Sequence, residues 1–197
     1  GYAYVADGGE GLEIIDVSDP KNPQEIGRFF DGGITQAVHV SGEYAYVADF
    51  WDGLEIIDVS DPASPKEVRD YGVGGLMDVF VSGGHAYVAD LFDGLEIIDV
   101  NDPESPKKVG QLYYEGDAQA QSVHVSGGRA YVASQGRGLE IIDVNDPESP
   151  KKVGQLDYGG FAQGVHMSGG HIYVADRDGG LQIIKIHDDT DGDGFID

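Results

Sequence analysis

The stretch GLEIIDVNDPESPKKVGQL, Gly94–Leu112, returns letter for letter at Gly138–Leu156. Internal duplication explains an unbroken repeat of that length, so the period is the first thing to establish. The opening heptad GLEIIDV also stands at Gly11 and Gly53, and degenerates to GLQIIKI at Gly180. Upstream of each copy lies Tyr-Val-Ala-Asp, at Tyr4–Asp7, Tyr46–Asp49, Tyr87–Asp90 and Tyr173–Asp176, with a variant ending in Ser134 at Tyr131–Ser134. Both series step by 42, 41, 44 and 42 residues. The chain is five copies of one unit, with boundaries near 1–34, 35–75, 76–119, 120–161 and 162–187, followed by an acidic tail over 188–197.

Each complete unit reads as four strands. The first is Val-x-Val-Ser-Gly, the second Ala-Tyr-Val-Ala-Asp, the third Leu-Glu-Ile-Ile-Asp-Val, and the fourth the shorter Lys-Lys-Val-Gly-Gln-Leu. β-Branched and aromatic residues recur at period two, and no helical window competes. Ser-Gly-Gly at Ser82, Ser126 and Ser168 supplies a tight hairpin between strands one and two. Asp-Pro-x-x-Pro at Asp19, Asp61, Asp102 and Asp146 closes strand three, because proline cannot continue a central ladder and aspartate bonds its own turn. Asp16, Asp58, Asp99 and Asp143, at the ends of strand three, are read as turn residues of the same kind. Short antiparallel strands at this period predict an all-β propeller of five four-stranded blades. The first repeat starts at strand two and the last ends at strand three, so both end blades are incomplete and 18 strands are expected. A solenoid has shorter coils, and a sandwich would not repeat one unit five times.

Composition narrows the function. There are 36 acidic residues against 12 basic ones, a formal charge of −24. Nucleic acid and anionic lipid need a basic surface, so neither is an expected partner. Cysteine is absent, which excludes disulfides and thiolate chemistry. No apolar run reaches the length of a membrane span, so insertion is not expected. The chain begins at Gly1 in a strand-like segment without an initiator methionine, which reads as a processed or excised terminus.

The Leu-Glu-Ile-Ile-Asp strand followed by Asp-Pro-x-x-Pro, with Ala-Tyr-Val-Ala-Asp before it, resembles the LVIVD-repeat β-propellers over about residues 1–187. The resemblance implies secreted or cell-surface proteins of bacteria and archaea, often multi-module. It implies no reaction and no catalytic residues. Ser134, the weakened fifth copy and the incomplete end repeats depart from the pattern.

In a four-stranded blade, loops two–three and four–one share one side. Here that side collects aromatics: Phe50, Trp51, Leu91 and Phe92 after strand two, and Phe29, Phe30, Tyr71, Tyr113, Tyr114, Tyr158 and Phe161 after strand four. Large apolar side chains at loop tips favour a contact surface for protein or glycan. The leading expectation is therefore a non-enzymatic extracellular or cell-surface scaffold. Two alternatives stand beside it: a filament subunit joined by strand complementation and calcium, and a carbohydrate-active enzyme. No nucleophile elbow or phosphate loop is present, and no carboxylate pair is singled out as catalytic. His39, His124 and His166 share one repeat position with Phe80, which marks it as a packing site between blades.

The tail follows the calcium-loop scheme Asp-x-Asp-x-Asp-Gly, resembling thrombospondin type 3 repeats and dockerin loops. It predicts Ca2+ held by Asp189, Asp191, Asp193 and the Phe195 carbonyl, with Asp197 acting directly or through water.

Overall fold

The computed structural model describes residues 1–30, 32–72, 74–114, 116, 118–157 and 160–186. Among them every regular element is a strand, and there are 18. The first sheet holds β1 (Tyr2–Ala6), β2 (Leu12–Asp16) and β3 (Gln24–Phe29). The second holds β4 (Thr35–Ser41), β5 (Tyr44–Asp49), β6 (Gly53–Asp58) and β7 (Lys66–Tyr71). The third holds β8 (Leu76–Ser82), β9 (His85–Asp90), β10 (Gly94–Asp99) and β11 (Lys107–Leu112). The fourth holds β12 (Gln119–Ser126), β13 (Arg129–Gln135), β14 (Gly138–Asp143) and β15 (Lys151–Leu156), and the last β16 (Ala162–Ser168), β17 (His171–Asp176) and β18 (Gly180–Lys185). Each sheet is a meander in chain order, with three strands in the first and last, as the repeat pattern predicts.

Local chemistry explains the turns. Gly83 and Gly84 have φ of 58° and 76°, the left-handed pair that a tight two-residue hairpin requires. The aspartates closing strand three accept a backbone N–H two residues on: Ser18 to Asp16 at 2.8 Å, Ser60 to Asp58 at 2.9 Å, Asn101 to Asp99 at 3.0 Å and Asn145 to Asp143 at 2.9 Å. A bulge recurs between strands three and four, at Ile14/Ile15, Ile56/Ile57 and Ile141/Ile142.

By packing, the chain forms two compact units, Gly1–Ala86 with Asp99–Lys107, and Tyr87–Ile98 with the described residues from Lys108 onward. In the first, Leu12 and Ile14 pack on Ala45, Val47, Ile57 and Val59 of the second sheet. In the second, Tyr131, Ala133, Leu139 and Ile141 pack on Ala162, Val165, Ile172 and Val174 of the last sheet. The two interfaces use equivalent positions: strand three of one repeat lays its Leu-x-Ile face on strand two of the next. Each such Leu or Ile contributes about 1.5–3 kcal/mol by leaving water. Close backbone approach reinforces this stacking. A Cβ on Gly27 would lie 2.0 Å from the Pro62 carbonyl oxygen, and one on Gly110 would lie 1.9 Å from that of Pro147.

Candidate functional site

The loop aromatics divide sharply. Trp51, Phe92 and Tyr113 are 65%, 65% and 66% exposed, and Phe30 and Phe161 are exposed as well. Phe50, Tyr71 and Leu91 are half-buried, and the Phe50 ring meets Trp51 edge-on with centroids 4.8 Å apart. Phe29 is half-buried and packs on the core of the first unit. Tyr114 corrects the expectation of a contact residue. It is 9% exposed, because its ring fills the space beside Gly94, where a Cβ would meet Tyr114 Cδ1 at 2.9 Å. The Arg137 guanidinium lies 5.5 Å from the centre of that ring. Burial, and then the neighbouring Glu140 carboxylate, push the Tyr114 hydroxyl well above its ordinary pKa. Tyr158 and the whole calcium-loop sequence, Asp189 to Asp197, lie outside the described residues.

The shared histidine position packs as expected. His39 meets Phe80 with ring centroids 4.6 Å apart, and His124 meets His166 edge-on at 4.9 Å. Burial lowers the His39 pKa.

A second constellation emerges at the strand two–three hairpin. The aspartate ending strand two and the glutamate of Gly-Leu-Glu fold onto one side of the sheet, with the residue between them at the turn. Asp49, Asp52 and Glu55 each offer an oxygen, all within 4.8 Å of one another, and Asp90, Asp93 and Glu96 do the same. Asp49, Glu55, Asp90 and Glu96 are buried. Asp49 Oδ1 accepts the N–H groups of Trp51 at 2.8 Å and Asp52 at 3.0 Å, and Asp90 Oδ1 those of Phe92 at 2.7 Å and Asp93 at 2.8 Å. The carboxylates thereby fix the loops that carry the exposed rings.

The charge balance of this hairpin differs by repeat. In the first, Arg28 reaches Glu10 at 2.7 Å, Glu13 at 2.5 Å and Glu25 at 3.1 Å. In the third, Lys108 Nζ lies 2.5 Å from Glu96 Oε1. In the fourth, Lys152 at 2.6 Å and Arg137 at 3.4 Å share Glu140 Oε1. Burial raises the pKa of Asp90 and of Glu96, against the opposing pull of hydrogen bonds from the Phe92 and Asp93 amides on Asp90 and from Lys108 on Glu96. Sequence reasoning passed over these residues, since each alone reads as a turn or surface acid. The available signal was their joint replacement: Ser134 and Arg137 stand where the third repeat has Asp90 and Asp93.

The last sheet shows a different exposure. Leu181 and Ile183 on β18 are 62% and 59% exposed, whereas their counterparts Leu139 and Ile141 are buried. On the first sheet Val5 and Tyr2 are exposed as well.

The LVIVD repeat matches residues 1–31, 32–73, 74–112, 117–157 and 159–190. No curated protein matches the sequence. Among solved structures, the computationally designed Ika8 protein aligns with a TM-score of 0.71 at 8% identity, over 94% of this chain and 55% of that one. The designed Ika4 protein gives a TM-score of 0.63 at 8% identity, over 78% of this chain and 91% of that one. The β-propeller domain of Cps50 (Swd1) from Myceliophteria thermophila gives 0.70 at 13% identity, over 94% of this chain and 65% of that domain. The chain thus spans little more than half of Ika8 and under two thirds of the Cps50 domain. At these identities the likeness concerns fold. With five repeat matches covering nearly its whole length, the chain belongs to the LVIVD-repeat family, and its fold is a β-propeller.

Proposed function

We propose that this propeller is a non-enzymatic interaction scaffold of the extracellular space or cell surface, and that it grips a protein ligand through the aromatic tips of its loops. The observation that carries the reading is the exposure of Trp51 in one unit and of Phe92 and Tyr113 in the other. Large rings held in water lower solubility and anchor interfaces once covered. The buried carboxylates beneath Trp51 and Phe92 hold those loops in place before binding, which limits the entropy lost on docking. The buried acids also recur from hairpin to hairpin, which favours an architectural role over a catalytic one. Extracellular placement rests on the family resemblance.

The test compares the full chain with a Trp51→Ala/Phe92→Ala variant, both shown to be folded by circular dichroism. Each is assayed for capture of secreted proteins and for binding to a glycan array. Protein capture lost in the variant supports the reading. Glycan binding alone moves the ligand class to sugars, and equal capture by both chains removes the aromatic tips from the function.

A second reading, self-association, is favoured by Leu181 and Ile183. They present the face that, one repeat earlier, is buried against a following sheet. A second copy offering a first sheet would cover it, and growth head to tail would give a filament. Light scattering across a concentration series decides this. A strict monomer would end it, and mass that falls in a Leu181→Asp/Ile183→Lys variant would support it.

A further inference from the structure

The first and the last repeat each break a burial pattern that the other four keep. Strand three carries a leucine and an isoleucine two residues apart. Both are buried in four repeats, from Leu12 and Ile14 in the first to Leu139 and Ile141 in the fourth. In the fifth, Leu181 and Ile183 are exposed. Strand two carries the valine of Tyr-Val-Ala, and it is wholly buried as Val47, Val88, Val132 and Val174. In the first repeat it is Val5, and it is 37% exposed. Ile15 and Val17 share the side of Val5, since Val5 pairs across the ladder with Glu13 and alternate residues face alike. They are half-buried, where their counterparts Ile57 and Val59 are buried.

The two exposed faces are the two halves of one contact. In the first unit, Leu12 and Ile14 lie on Val47, Ile57 and Val59 of the following sheet. In the second unit, Leu139 and Ile141 lie on Ile172 and Val174. Val5, Ile15 and Val17 stand at the receiving positions, and Leu181 and Ile183 at the inserting ones. Charge points the same way. Strand three ends in aspartate in four repeats, but Lys185 takes that place in the fifth, in line with Leu181 and Ile183 on alternate residues. Gln182 replaces the glutamate of the same strand. The first repeat, residues 1–34, holds seven acids against two bases, and the last, residues 162–187, two against two. The inserting face has thus lost carboxylates and gained an ammonium, which suits an acidic receiver.

We infer that the last sheet of one copy seats Leu181 and Ile183 on Val5, Ile15 and Val17 of a second copy, continuing between chains the contact that joins successive repeats within one. The inference rests on the self-association reading and names the surface that the partner copy supplies. Such a contact is heterologous, because the two faces differ, so each added copy leaves one face of each kind for the next. The contact is also smaller than the internal one. The described first sheet has three strands, and no strand one stands where Ala162 and Val165 enlarge the receiving face of the last sheet. Assembly is therefore weak and concentration-dependent. Pairing of two last sheets, like on like, would instead stop at a dimer and would leave Val5 uninvolved.

Sedimentation velocity of the full chain across a concentration series tests this. The parent should pass from monomer through dimer to larger species. Val5→Asp blocks the receiving face, and Leu181→Asp/Ile183→Lys the inserting one, all at exposed positions, with the fold checked by circular dichroism. Each blocked chain alone should stay a monomer. Their equimolar mixture should give a dimer and nothing larger, because each retains the half that the other lacks. Val5→Thr keeps the branched strand-forming shape, and Lys185→Asp restores the acid of the other repeats. Each should weaken association about fivefold. If Val5→Asp unfolds, Val5→Thr decides. A parent chain that is monomeric throughout ends self-association itself and this inference with it. Undiminished association of the folded Val5 variants leaves self-association standing and overturns the head-to-tail pairing. So does a mixture of the two folded, blocked chains that stays monomeric while the parent associates.

Discussion

Lys108 Nζ stands 2.5 Å from Glu96 Oε1, and the Glu96 side chain has no exposed surface. Removing one partner of such a pair leaves the other buried and uncompensated, which costs more than the pair contributes. Lys108→Met should therefore lower stability by about 2–4 kcal/mol, the lower end reflecting the partial exposure of the lysine. Adding Glu96→Gln should recover most of the loss. Lys152→Met should cost less, about 1–2 kcal/mol, because Arg137 still reaches Glu140. Urea unfolding of the three variants checks the order, and an equal loss in both lysine variants would refute the shared-cation account of the fourth repeat.

How far this was legible in the sequence depends on distance along the chain. The strands, the Ser-Gly-Gly hairpins (three copies) and the Asp-Pro corners (four copies) are local patterns that recur from repeat to repeat, and duplication multiplies a weak signal. The packing role of His39, His124 and His166 was legible because Phe80 shares their position. The buried acids were not. Asp90 and Glu96 are six residues apart, and only pairing of β9 with β10 joins them on one side. Lys108 comes from a third strand. Tyr113 and Tyr114 show a finer limit, since adjacent residues point opposite ways and nothing local says which faces Gly94.

Tyr113 and Tyr114 should accordingly behave in opposite ways. Tyr114→Ala empties a packed site and should cost about 3–5 kcal/mol. Tyr113→Ala and Trp51→Ala remove exposed rings and should change stability by under about 0.5 kcal/mol. Thermal melts decide this. A large loss for Trp51→Ala would mean that the ring supports its own chain and is not reserved for a partner.

Stacking between successive sheets should be most sensitive where backbone meets backbone. The Cβ of Gly110→Ala would fall 1.9 Å from the Pro147 carbonyl oxygen, so the fourth sheet must move. The expected cost is about 1–3 kcal/mol. Gly83→Asn is the matched control. Its φ of 58° suits asparagine, and nothing lies within 4 Å of an added Cβ. Comparable losses for the two would show that the close approach does not hold the sheets together.

Stability should vary with pH in three steps of known sign. Burial lowers the His39 pKa, so between its folded value and about 6.5 the unfolded chain binds the proton first. Stability therefore falls as pH drops through that interval. Burial raises the pKa of Asp90 and Glu96, so the folded chain binds protons first above the ordinary carboxylate range of about 4. Their contribution rises as pH falls through the raised values, and relief of the acidic surface acts in the same direction. Hydrogen bonds from Ser18, Ser60, Asn101 and Asn145 lower the pKa of Asp16, Asp58, Asp99 and Asp143. Their stabilisation is present above about pH 4 and is lost as pH falls through the lowered values. His39→Phe isolates the first step, because Phe80 already fills the equivalent position beside it. The variant should match the parent near neutral pH and exceed it below about pH 6.5, by under about 1 kcal/mol for a ring only partly shielded from water. Urea midpoints for both chains from neutral pH down to about 3 test the sequence of steps. Parallel curves for parent and variant would mean that His39 takes up its proton as readily in the fold as out of it.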